Sequence, residues 1–394
     1  MDDGRSALNS ARLTRNKKSA TRPCRFTISR PMMTQTLRTI GSNDTPIWGM
    51  SNAERLRRMI ASAAKTGQQA AEGHVVTANL AYVFDPLLLR LALEKPGTVF
   101  RYGNDLILAH APEGVDPLDS ASASGLHIID LSLGEKFYNR QLRKLEVPFV
   151  RKLDPSSRKA IERQSYFGAY KGVTDALTKY LWPEFALFLT RIAAQLKMTP
   201  NMVTAIGATG CVIATFLFAA GHYWSGLAIG FLFMVLDTVD GKLARCTITA
   251  SKWGNIFDHG VDLIHPPFWW YAWGVGLAAH GMALEPRSFM LIMVAVVVGY
   301  VLQRLIEGAF IKDFGMDIHV WRPFDSQFRL VTARRNPNMA ILVASVVVGR
   351  PDLGLIALAW WTVISLVVHA VRLMQAYAVR KRGGAITSWL EQPA

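Results

Sequence analysis

The sequence predicts an α-helical integral membrane protein with six transmembrane helices and an N-terminal soluble α/β domain. Three observations lead there. Six apolar segments fill the second half of the chain, at about 200–221, 225–246, 254–280, 287–311, 338–349 and 351–378, judged against the ~20 residues that a bilayer crossing requires. Strand-like and helix-like stretches alternate over residues 46–150, the pattern of a layered α/β sheet. The chain of 394 residues is 51% apolar yet carries a formal charge of +15, which suits an apolar bundle with basic loops facing anionic headgroups. No nucleic-acid module accompanies that charge, so nucleic acid is not an expected partner. Cys24, Cys211 and Cys246 have neither a paired framework nor metal-ligand spacing, and no disulfide is expected.

Taken in order, residues 1–45 are rich in Arg, Lys, Ser and Thr and lack the apolar core of a secretory signal. They read as a disordered basic arm. In the soluble α/β domain, residues 46–150, Ser51 with Glu54 forms a capping-box pattern before the helical run SNAERLRRMIASAA. HVVTANLAYVF reads as a strand, and Asp85-Pro86 opens the helix DPLLLRLALEK. Gly103-Asn104 sits between two strand-like runs as a hairpin turn, and LHIIDL is a further strand. Residues 151–180 are charged and irregular and read as a linker. In WPEFALFLTRIAAQLK, the residues Phe185, Phe188, Leu189, Ile192 and Leu196 share a face, the mark of an interfacial amphipathic helix within the span 151–198. Thr199-Pro200 then caps and opens the first membrane helix. The membrane domain is expected over 199–380, with a tail at 381–394.

Charge sets the topology. Lys242, Arg245 and Lys252 lie in the second connection between membrane segments; Lys312, Arg322, Arg329, Arg334 and Arg335 lie in the fourth; Arg380, Lys381 and Arg382 follow the last. The first connection has no Lys or Arg, and the third and fifth have one each. The positive-inside rule puts both termini and these connections on the cytoplasmic side.

The chemistry concentrates in residues 237–262, DTVDGKLARCTITASKWGNIFDHGVD. Asp237 and Asp240 are three apart, Asp258 and Asp262 four apart, so on helices each pair shares a face. Apolar runs flank both pairs. An ionised Asp at membrane depth costs ~2.5–3.5 kcal/mol on insertion scales, and four together repel. Divalent metal held by oxygen ligands resolves both problems, and two such ions suit phosphoryl transfer. Gly241, Ala244 and Gly254 are small, as close backbone approach requires. Arg245 offers a fixed charge for a phosphate. His259 and His265 flank the acids and read as satisfied polar residues rather than ligands.

The run Asp237-x-x-Asp240-Gly241-x-x-Ala244-Arg245, eight residues, then Gly254-x-x-x-Asp258-x-x-x-Asp262 resembles the signature of the CDP-alcohol phosphotransferases. The resemblance spans roughly residues 180–380. It implies a transferase that passes a phospho-alcohol group from a CDP-alcohol to an acceptor hydroxyl and releases CMP. It implies that Asp237, Asp240, Asp258 and Asp262 hold two Mg²⁺ or Mn²⁺ ions, that Asp262 also acts as the base, and that Gly241, Ala244, Arg245 and Gly254 line the CDP site. It further implies a homodimer, which the small-residue spacing Gly226/Gly230 permits. "TPN" with Thr204 resembles the start of the family's first membrane helix. The setting is then a bacterial inner membrane, with the active site facing the cytoplasm. PIWGMSNAERLRRMIASAA is similar to the segment after the nucleotide loop of transferase domains fused to some family members. The upstream stretch RFTISRPMMTQTLRTIGSND has a single glycine, however, too few for a triphosphate loop. A nucleotidyltransferase-like domain without that catalysis is expected, the alternative being an unrelated α/β domain.

The basic fourth connection offers Lys312, Arg329, Arg334 and Arg335 to an anionic acceptor, and favours a CDP-diacylglycerol donor in phospholipid biosynthesis over a soluble CDP-polyol. Arg304 and Glu307, three apart in the fourth segment, read as an internal ion pair. Of the competing classes, a divalent-cation transporter would need polar groups through the whole membrane depth. A non-catalytic scaffold would not need four acids in register.

Overall fold

The computed structural model describes residues 37–117 and 125–391. Most of the expected basic arm lies outside the described residues. Its last part is no arm: β1 (Leu37–Ile40) is a sheet strand. In chain order follow α1 (Asn52–Lys65), β2 (His74–Asn79), β3 (Tyr82–Phe84), α2 (Pro86–Glu94), β4 (Thr98–Tyr102), β5 (Asp105–Pro112) and β6 (His127–Asp130). Five strands make one mixed sheet in the order β1-β2-β5-β4-β6. Its outer pairs are parallel and its inner pairs antiparallel.

Local chemistry explains these elements. Ser51 caps α1 by accepting from Glu54 N, but the Glu54 carboxylate turns to Arg57 and Arg58, so the capping box is half made. Asp85 caps α2 and Pro86 opens it. Gly103, at φ +61°, makes the two-residue turn between β4 and β5. Alternation along the strands sends Phe100 and Leu108, paired across the sheet, toward Leu56, Met59 and Leu88. The next pair, Val99 and Ala109, faces the other way.

Beyond the sheet the chain stays structured, through the end of the expected α/β domain and the stretch 151–180 expected as a linker. β7 (Phe137–Asn139) and β8 (Lys144–Glu146) form a hairpin, β9 (Val150–Lys152) pairs back onto β3, and α3 (Arg158–Gly168) follows, then a π-helical turn at Leu177–Leu181. The charges that suggested a linker are spent on contacts such as Arg158–Glu162 and Arg163–Glu184.

The helical part comprises α4 (Pro183–Gln195), α5 (Pro200–Ala219), α6 (Tyr223–Cys246), α7 (Lys252–Gly276), α8 (Pro286–Phe314), α9 (Pro323–Phe328), α10 (Arg335–Val347) and α11 (Pro351–Lys381). The six apolar segments coincide with α5 to α8, α10 and α11. The expectation of six spans narrows, however: among the described residues, α5, α8 and α11 are long and apolar enough to cross a membrane. α6 and α7 carry the acidic motif, and α10 has 13 residues, about 20 Å at 1.5 Å per residue. On α4, Ala186, Leu187, Thr190 and Ala193 are buried while Phe185 and Phe188 are exposed, as is Leu196 beyond its end. This is the two-sided character an interfacial helix needs.

One buried cluster links the N-terminal segment to the helices. Ile47, Trp48 and Met50 belong to the same buried cluster as Trp182, Ala186 and the aromatic layer Phe218, Tyr223, Trp269 and Trp273. Trp48 donates its indole N–H to Ser165 Oγ at 2.9 Å, and its backbone N–H to Glu162 at 3.2 Å. Arg58 donates to Thr247 O at 3.0 Å, tying α1 to the turn after α6. Gly226 and Gly230 face Phe218 and Trp269 of the same chain, so their small size serves packing within the bundle. The tail also docks: Ser388 donates to Val320 O at 2.9 Å and Trp389 to Ser326 Oγ at 3.0 Å.

Trp48→Ala should cost about 3–5 kcal/mol, the range for losing a buried aromatic. Denaturation in detergent would measure it. A loss below about 1 kcal/mol would mean that this contact does not fasten the α/β segment to the bundle.

Candidate functional site: acids at the wall of a basic cavity

α6 and α7 are joined by a five-residue connection, Thr247–Ser251. Ile248 adopts φ +55° there, a left-handed conformation costly for a β-branched residue. Ser251 caps α7 by accepting from Gly254 N at 2.9 Å. The tight reversal sets the two helices so that Asp237, Asp258 and Asp262 each offer an oxygen within 4.8 Å of the others. Asp240 stands apart from that trio. It is 3% exposed, its Oδ2 accepts from Thr204 Oγ1 at 2.5 Å, and its Oδ1 has no partner among the described residues.

Arg335, the first residue of α10, spans the acids. Nη2 donates to Asp237 at 2.6 Å and Nη1 to Asp262 at 2.5 Å, with the guanidinium over the Phe233 ring. The planar fork sends one N–H to each carboxylate while its face lies on the ring, a combination that a compact ammonium lacks. Asn336 anchors that end of α10 by donating to Asp175 Oδ1 at 3.1 Å. Asp262 is the most open of the trio, with 41% of its side chain exposed against 17% for Asp237 and 27% for Asp258.

The acids border a cavity of about 410 Å³. Eight of its lining side chains are cationic types, Arg143, Lys171, Lys242, Arg245, Arg304, Arg329, Arg334 and Arg335, against five carboxylates. Lys171 is pushed down to about 8 by withdrawal from water and by Arg143, Arg245 and Arg329 around it. Lys242, 2% exposed, lies over the Tyr170 ring. Arg329 is 8% exposed and its Nη1 has no partner among the described residues.

The remaining expected residues divide. Gly241 lines the cavity, and the Arg245 head group lies over it, 3.2 Å from where a Cβ would stand. Gly254 and Ala244 do not line it. Gly254 packs against Asn201, and Ala244 opens onto a second cavity. Arg334 and Arg329 line the cavity, but Lys312 does not; it is exposed in the last turn of α8. His265 is a packing residue against Phe233 and Trp269, its Nδ1 on Val261 O. His259 sits 3.5 Å from Asp258. The Arg304–Glu307 pair exists at 2.8 Å and is wider than expected, since Glu307 also takes Arg334 and His319. Missed by sequence reasoning were Arg143, Tyr170, Lys171 and Asp175. For Tyr170, Lys171 and Asp175 the one signal was a polar cluster in the stretch 151–180 read as a linker; Arg143 lies in the expected α/β domain.

The acidic trio offers a hard divalent cation carboxylate oxygens alone, with Arg335 engaging one oxygen each of Asp237 and Asp262 and leaving Asp258 without a guanidinium partner among the described residues. A second group, Glu307, His319 and His369, also brings ligand-type atoms within 4.8 Å. There Glu307 is already neutralised by two guanidiniums, which oppose a further cation.

Arg335→Ala should destabilise the protein by about 3–5 kcal/mol, because it strands buried carboxylates. Arg335→Lys should recover only part of that, since an ammonium keeps the charge but loses the rigid fork and the stacking on Phe233. Thermal denaturation in detergent checks both.

Comparison with known proteins bears on this segment. A family model described as CDP-alcohol phosphatidyltransferase matches residues 197–322. Human cholinephosphotransferase 1 is 29% identical over 151 residues, 36% of this chain and 34% of its own. Phosphatidylinositol phosphate synthase of Mycobacteroides abscessus is 29% identical over 126 residues, 30% of this chain and 55% of its own. The crystal structure of Mycobacterium tuberculosis phosphatidylinositol phosphate synthase with CDP-DAG bound is 19% identical, with a TM-score of 0.38 over 48% of this chain and 92% of that one. The chain covers about half or less of the curated relatives it matches. Residues 197–322, which hold all four aspartates, match the CDP-alcohol phosphatidyltransferase family.

Proposed function

We propose that this chain is a metal-dependent membrane phosphotransferase that moves a phosphatidyl group from a CDP-alcohol to an acceptor hydroxyl and releases CMP, in phospholipid biosynthesis. The observation that carries the reading is the convergence of Asp237, Asp258 and Asp262 at the wall of a cationic cavity. Asp237, Asp240, Asp258 and Asp262 would hold one or two Mg²⁺ or Mn²⁺ ions, which when bound neutralise the diphosphate and the charge on the leaving oxygen.

The acceptor hydroxyl attacks the β-phosphorus, the bond from that phosphorus to the CMP oxygen breaks, and CMP leaves with the electron pair. Asp262 takes the hydroxyl proton. Its greater exposure supports that role, since a base must reach the proton it removes. Gly241 lets Arg245 lie along α6 where it meets the donor phosphates. Arg143, Lys171, Arg329 and Arg334 face an acceptor that is itself anionic. The four aspartates lie in the halves of α6 and α7 nearer their connection, which Lys242, Arg245 and Lys252 flank; that charge supports an active site on the cytoplasmic face of a bacterial inner membrane. We also take the protein to be a homodimer.

A CMP-release assay, crossing CDP-diacylglycerol and soluble CDP-polyols with polar acceptors, tests the reading. No release from any pair would overturn it. Asp262→Asn should lower turnover by about 10²–10⁴-fold, with insertion and folding retained; full turnover would remove Asp262 from the base role.

Lys171 supplies a pH test. Its ammonium is lost as pH rises through about 8, so the KM for a phosphorylated acceptor should rise above that pH. Lys171→Arg, charged throughout, should flatten the profile.

A further inference from the structure

The acidic cavity has a neighbour. A second cavity of about 190 Å³ lies between α1, α2, α3 and the end of α6. Met59, Leu89, Phe149 and Ile248 give it apolar walls. Arg245 lines both cavities, and Ala244, on the same turn, lines only this one. Arg245 is thus a side chain common to the two cavities, and a phosphate held by it would have one cavity on either side.

Four charged side chains line the smaller cavity, Arg55, Arg90, Arg245 and Asp85, and two of them, Arg55 and Asp85, are of opposite sign and almost fully buried. Arg55 is 3% exposed; its Nη2 donates to Phe84 O at 2.9 Å and its Nη1 has no partner among the described residues. Asp85 is 5% exposed and accepts from Leu87 N at 2.9 Å. A spare guanidinium donor and a carboxylate acceptor thus share one small apolar well. Cytosine offers the complement: an amino donor beside a ring nitrogen and a carbonyl that accept. Uracil puts a carbonyl where that amino group stands, facing a carboxylate that cannot donate.

We propose that this second cavity seats the cytosine base of the donor, with Asp85 taking the amino hydrogen and Arg55 donating to the base acceptors. The assignment rests on the CDP-alcohol reading above. It gives the α/β segment, which lies outside the matched residues 197–322, a part in the reaction as the element that reads the base. The segment needs no triphosphate loop to do this.

Binding of CMP and UMP to the intact protein, by calorimetry with Mn²⁺ present, tests the assignment beside the CMP-release assay. Wild type should prefer CMP by about tenfold or more, the discrimination one good polar pairing provides. Asp85→Asn keeps the α2 cap and should bring the two nucleotides within about threefold, since an amide can meet either edge. Ser62→Phe, at the cavity wall, should weaken both nucleotides while the melting midpoint holds. Asp85→Asn with its CMP preference intact, or Ser62→Phe binding CMP as wild type does, would overturn the assignment and leave the phosphotransferase reading standing. Wild type that neither binds CMP nor releases it from any CDP-alcohol would sink both.

Discussion

The structure depends on one electrostatic arrangement: carboxylates brought together at the edge of an apolar bundle and held by a planar cation. Removing a carboxylate from water costs several kcal/mol even after relaxation, and two acids side by side add repulsion. The fork of Arg335 answers both, one nitrogen to Asp237 and one to Asp262. That geometry needs α10 to begin in one place. Asn336 on Asp175 and Arg334 on Glu307 fix it from two directions. The polar groups around the acids therefore serve to aim a single guanidinium.

The second organising fact is continuity. The α/β segment and the helices share one buried cluster, from Ile47 and Trp48 to the tryptophans of α7. The segment therefore forms part of the cavity wall. Arg143 and Lys171 reach the acids' cavity, while Arg55 and Asp85 line the next one. Arg143 is held in turn by Asp317, from the connection after α8, at 2.5 Å. A charged residue of the α/β segment is thus the partner of a charge far along the chain.

Close backbone approach lets the aromatic layer form at all. A Cβ at Gly276 would stand 2.0 Å from Phe218 O. This contact brings α5 against α7, where Trp269 donates to Cys211 O and Tyr223 to Trp273 O. The layer lies behind the acids and gives α6 and α7 a rigid backing.

The sequence by itself determined the helices, their caps and the acidic motif, because each depends on neighbours a few residues away. Ser51, Asp85 and Thr199 cap where spacing said they would. Asp237, Asp258 and Asp262 meet because a period of 3.6 and a short turn leave them little choice. Spacing could not say that Asp240 would turn from the trio to Thr204 on α5, that Ala244 and Gly254 would miss the acidic cavity, or that Lys312 would end in the open. It also could not bring Arg143 and Lys171 to a site some hundred residues later in the chain. Those placements depend on how the helices and the sheet pack, and packing is decided by surfaces that only meet once the chain has folded.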